Sequence, residues 1–75
     1  MNDKRRKQLK KAIQMLNIAS NILSFAADDE QDCLDNMPEN LLSSDRCLKM
    51  EDNIDALNDA ENDINDVINK IEEVI

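Results

Sequence analysis

Two cysteines, a cluster of cations and a run of acids are the groups in this 75-residue chain whose chemistry could carry a function. Cys33 and Cys47 lie on either side of the single proline, Pro38, and their thiols could bridge or remain free. Lys4, Arg5, Arg6, Lys7, Lys10 and Lys11 crowd into the first eleven residues, where they could hold a phosphate or another anion. Asp28, Asp29, Glu30 and Asp32 could face a hard cation, but a calcium loop needs alternating oxygen ligands around a central glycine, and the chain has no glycine. A solvated acidic face is the simpler reading of that run. Ser43 and Ser44 have no histidine to activate them, since the chain contains none, and they read better as helix caps. No phosphate-binding glycine loop and no pair of nucleophile and base can be assembled. The expectation is a non-enzymatic protein with no catalytic residues, no cofactor and no metal.

The elements that must position these groups follow from apolar periodicity. Asn2 or Asp3 can cap a helix running to about Met37, where Pro38 pushes the preceding residue out of helical geometry. Residues 38 to 43 form a short connection, and Ser43 or Ser44 can start a second helix to Ile75. The stretch Asp28 to Asp35 is expected to stay helical although its acids weaken it. With 41% hydrophobic residues, a single Phe and otherwise aliphatic side chains, Met and Cys, the composition suits a helical bundle or coiled coil. The fold class is therefore all-α: one domain, an antiparallel helical hairpin with arms on the order of 45 to 50 Å at about 1.5 Å per residue.

Each arm carries a seam spaced alternately three and four. On the second arm it runs Cys47, Met50, Ile54, Leu57, Glu61, Ile64, Ile68, Ile71 and Ile75. On the first it runs Leu9, Ile13, Leu16, Ser20, Leu23, Ala27, Glu30, Leu34 and Met37. Folding about the turn pairs positions whose numbers sum to about 81, which sets Ser20 level with Glu61. That shared polar layer either fixes register at a cost in stability or leaves Glu61 leaning to the rim while Ala60 fills the space. Cys33 and Cys47 nearly satisfy the same sum, so a disulfide is geometrically open, with two buried thiols as the alternative in a reducing compartment.

The first arm has more apolar surface than one neighbour can cover. Leu9, Ala12, Ile13, Leu16, Ala19, Leu23 and Ala26 make one apolar stripe and Met15, Ile18, Ile22 and Phe25 an adjoining one, together roughly 240° of the helix, against the 100° or so that one partner needs. The surplus predicts an oligomer, a dimer making a four-helix bundle being the simplest closed form, or a docking face for another protein. The second arm is crowded with Asn53, Asn58, Asn62, Asn65 and Asn69, poor helix formers that make it dependent on packing.

Charge is unevenly placed. Residues 1 to 11 carry +5, six cations against Asp3, and residues 12 to 75 carry −13, sixteen acids against Arg46, Lys49 and Lys70, which together give the net −8. In an antiparallel hairpin the basic start would lie beside the acidic end of the second arm near Asp63, Asp66, Glu72 and Glu73, so mutual neutralisation is expected, with an anion-binding patch as the alternative. No stretch approaches the ~18 apolar residues of a membrane span, and no signal peptide is evident, so a cytoplasmic protein with no membrane partner is expected.

The stretch Asp32 to Leu57 resembles small acidic proteins of gut Firmicutes and their phages, through Asp35, Asn36, Met37, Pro38 and Glu39 at the turn, Leu41, Ser44 and Arg46 after it, and Met50, Ile54 and Leu57 along the heptads. The resemblance covers about a third of the chain; the basic start and both cysteines depart from it. It implies a helical hairpin and a phage or mobile-element setting, and brings no functional residues with it. The expected role is a self-associating protein-interaction module that binds and inhibits a host defence or nucleic-acid-handling protein, acting in the host cytoplasm if phage-encoded. The alternatives are a sponge for a small anionic nucleotide signal, built on the basic residues, and a purely structural assembly protein. Direct nucleic-acid binding ranks lower because the overall charge repels it.

Overall fold

The computed structural model describes residues 1–75 as two long helices joined by a short turn, with no strand. Helix α1 spans Asp3–Asp35, a single 3-10 turn spans Glu39–Leu41, and helix α2 spans Asp45–Glu72. The arms pack antiparallel into a rod of 60 × 15 × 11 Å, the helical hairpin that the periodicity predicts.

Local chemistry explains where each helix starts and stops. The Asn2 side chain accepts the Arg5 amide at 2.9 Å and opens α1. The helix closes two residues earlier than Met37. Asn36, at φ −90° and ψ 2°, directs both its backbone amide (3.1 Å) and its side-chain amide (2.9 Å) onto the Asp32 carbonyl. Pro38 then sits extended at ψ 142°, having no N–H with which to continue the ladder. Its carbonyl accepts the Leu41 amide at 2.8 Å, which tightens the connection into the 3-10 turn. Of the two candidate caps before α2, Ser44 is the one used: its hydroxyl accepts the Cys47 amide at 3.3 Å. The acid-rich segment Asp28 to Asp35 is helical throughout. At the far end α2 stops at Glu72 rather than Ile75.

Every seam position on both arms is buried or half-buried, Glu30 and Glu61 included. Burial is nevertheless shallow, with Ser20, Ala27, Cys47, Met50 and Ile68 the only five residues fully enclosed. Three of those five have small side chains, because only atoms close to the line between two helix axes are shielded on all sides. The larger Leu and Ile side chains reach past that line and keep an edge in solvent. The arms share one hydrogen bond, from Asn53 Nδ2 to Glu30 Oε2 at 3.4 Å. At that length it contributes little, so register is held by the apolar seam. Ser20 and Glu61 are both withdrawn from water, but no hydrogen bond joins them.

Replacing Ser44 by Ala removes the only side-chain acceptor at the α2 N-terminus and should lower stability by about 1 kcal/mol, a typical loss for such a cap. Ser43→Ala should leave the thermal midpoint nearly unchanged. A circular-dichroism melt of the two variants checks this, and equal midpoints would contradict the cap assignment.

Candidate functional site

The most conspicuous surface feature lies on α1. Met15, Ile18, Ile22 and Phe25 occur every three or four residues and therefore share one side of the helix, and their exposures run from 58% to 69%. At about 100° per residue this stripe is turned roughly 160° from the seam that faces α2. The hairpin cannot cover it by closing more tightly. Ala12 and Ala19 are half-buried between stripe and seam, while Ala26 is exposed. On α2 the flank beside the seam leaves Val67 and Val74 open to solvent.

An area comparison shows how unusual this is. A compact protein of 8.6 kDa exposes about 4,700 Å² by the usual scaling with mass. The hairpin exposes 5709 Å², about 1,000 Å² more. Part of that excess is the geometry of a thin rod, and part is the uncovered stripe. A standard protein interface removes about 800 Å² from each partner, so one such contact would remove most of the excess.

The basic start does not behave as the charge distribution suggests. The one ion pair in the molecule joins Arg6 Nη1 to Asp3 Oδ1 at 3.2 Å within a single helical turn, and none crosses between the arms. The reason is geometric. The antiparallel register sets Glu72, the last residue of α2, near the level of Leu9, so Lys4 to Lys7 project past the end of the partner arm. The acids Asp63, Asp66, Glu72 and Glu73 all lie on exposed positions. Lys4, Arg5, Lys7, Lys10 and Lys11 are also exposed, and they are spread over the first turns of α1 without lining a shared pocket.

The cysteines separate in environment. Cys47 is completely enclosed in the seam, whereas Cys33 falls between the seam positions Glu30 and Leu34 and is exposed. Both are free thiols, so neither the bridge nor a pair of buried thiols describes them: only Cys47 acts as a small core hydrophobe. Cys33 opens instead onto a shallow cleft of about 470 Å³ at the turn, shared with Asp32, Asn36, Met37, Pro38, Leu41, Arg46 and Met50. One acid and one guanidinium on an otherwise mixed wall give this cleft no preference for a ligand of either sign. No group of His, Cys, Asp or Glu is arranged to hold a metal ion, and no helix is long and apolar enough to cross a membrane.

No protein-family model, curated protein or solved structure matches the chain, so a functional reading has to rest on its own residues.

Under native conditions an alkylating reagent should modify Cys33 alone, adding one group per chain, and Cys47 should react only after unfolding. Intact-mass measurement before and after adding denaturant reads both steps. Rapid native modification of two sites would mean that the seam near the turn opens easily.

Proposed function

We propose that the chain is a non-enzymatic protein-interaction module that acts as a self-associated helical bundle. The observation that carries this reading is the exposed stripe Met15, Ile18, Ile22 and Phe25, which lies on the side of α1 turned away from α2. Each of these side chains would gain about 1.5 to 3 kcal/mol from full burial, and nothing within the hairpin can supply it. A two-fold dimer buries two copies of the stripe at once and closes the assembly.

What the assembly presents outward is a rod carrying most of its sixteen acids beyond residue 11, a surface suited to a basic protein partner. The resemblance of residues 32 to 57 to small acidic proteins of gut Firmicutes and their phages implies only a phage or mobile-element setting, in which a host protein would be that partner. Nucleic-acid-handling and defence proteins are the class whose basic grooves such a rod fits. A nucleotide sponge draws less support, because the six cations at the start of α1 do not converge on a pocket within the chain.

Substituting Ile22 by Asp should lower the mass in sedimentation from that of a dimer or larger to that of a monomer, with affinity between chains falling at least ~100-fold, because two buried Ile side chains are lost per dimer. Asn21→Asp adds the same charge one position away, off the stripe, and should leave assembly intact. Equal masses for the two variants would overturn the reading. So would a native mass spectrum in which the purified protein retains a bound nucleotide.

A further inference from the structure

The stripe continues beyond its apolar centre, and its two ends have opposite charge. Followed in the same steps of three and four, Met15, Ile18, Ile22 and Phe25 are preceded by Lys4, Gln8 and Lys11 and followed by Asp29, Asp32 and Asn36. All of these positions are exposed in the hairpin. The helix side that lacks a cover is thus basic at one end, apolar in the middle and acidic at the other.

From this we infer that α1 is the inner helix of a two-fold dimer, packed antiparallel against α1 of a second copy through the stripe, with the axis at the level of residue 20. The inference rests on the self-association proposed above and adds its orientation. With the axis there, Ile18 meets the partner's Ile22 and Met15 meets the partner's Phe25. In the next layers outward Lys11 meets the partner's Asp29, and Gln8 meets the partner's Asp32. The layers alternate between the two heptad classes of the stripe, as facing positions do when coiled helices run antiparallel.

Three arguments select this arrangement. The first is charge. A parallel pairing of the same stripes would set six cations of one copy against six of the other, and Asp29 and Asp32 against themselves. The antiparallel one sets each basic end against an acidic end. Exposed pairs of this kind add little affinity, but like-charge layers penalise the wrong orientation, so they act on specificity. The second is length. The middle of α1, Asp3–Asp35, lies within about one residue of the proposed axis, so the two helices overlap almost end to end. The third is the missing neutralisation. The basic start finds no ion pair on α2 and the acids at 28 to 35 find no cation across the hairpin, and a second copy supplies both at once. A foreign helix would need the same sequence of basic, apolar and acidic segments in reverse. This chain carries it.

Cys33 makes the orientation measurable in the otherwise unaltered protein, because it is exposed while Cys47 is enclosed. Spin labels attached at Cys33 lie 13 residues to either side of the axis, so the antiparallel dimer should separate them by about 40 Å at 1.5 Å per residue. Parallel stripes would bring them level, on the order of 15 Å apart including the label arms at ordinary helix spacing. A charge exchange gives an independent reading. Lys11→Asp and Asp29→Lys alone should each weaken dimerisation roughly tenfold, each placing two like-charge contacts in the dimer. The double variant should recover the wild-type constant. Labels at short range, or a double variant as weak as the single ones, would overturn the antiparallel assignment while leaving self-association standing. A wild-type chain that sediments as a monomer at every concentration would instead remove the self-association on which the inference rests.

Discussion

Everything in this molecule depends on the ratio of apolar side chains to the shelter two helices can give them. A helix pair shields a strip about one residue wide along its line of contact and leaves the flanks wet. The hairpin meets that limit with five enclosed residues in 75, and three of them, Ser20, Ala27 and Cys47, have small side chains. A chain of this length seldom holds a stable core by itself. The poor helix formers of α2 make the point sharper. Asn58, Asn62, Asn65 and Asn69 are exposed on that arm and contribute no packing, so the helix persists because Ile54, Leu57, Ile64, Ile68 and Ile71 are held against α1. Stability of the second arm is therefore coupled to the rigidity of the first.

The fold could be read from the sequence because it is written in a period. Eighteen seam positions, nine on each arm, were placed by spacing of three and four, and each is withdrawn from solvent in the structure. Pro38 located the turn for a steric reason that acts on its immediate neighbours and needs no tertiary information. The helix ends were harder to read. α1 stops at Asp35 because Asn36 leaves helical geometry at ψ 2°, Met37 turns its amide onto the Leu34 carbonyl instead of continuing the ladder, and Pro38 has no N–H to donate; the extra bond from the Asn36 side chain to the Asp32 carbonyl caps that end, a local detail that spacing does not reveal. Ser44 rather than Ser43 became the cap because the 3-10 turn through Leu41 fixes which serine reaches the first amides of α2.

Reading contacts from level alone failed where direction matters. Cys33 and Cys47 are level across the turn, yet Cys33 is one position out of phase with Leu34, a rotation of about 100° that carries its sulfur to the surface. The basic start and the acidic end of α2 lie toward the same end of the rod as well. Their side chains point outward on both arms, and α2 ends before it can reach Lys4 to Lys7. Summing charge along a segment predicts a field, and a hydrogen-bonded pair also requires that the side chains share a face. The apolar stripe on α1 was legible for the same reason that these contacts were not: its argument concerned a face from the beginning.

That distinction bears on how an acidic chain with one basic end should be understood. If the cations served only to bind a ligand, nothing would require them to fall in step with Met15, Ile18, Ile22 and Phe25. Lys4 and Lys11 do fall in step, and so do Asp29 and Asp32 at the other end. Apolar residues in the middle of such a seam supply the free energy of association, and charged residues at its ends supply little of it. Charges placed on the seam discriminate among partners and orientations that the apolar centre would accept equally. A stripe of four apolar residues at symmetric spacing has no direction of its own, so the direction has to come from what flanks it. In this reading the positive end of α1 is the device that orients one copy on another, and the acids of α2, which have no counterpart in that contact, remain on the outside for a different protein.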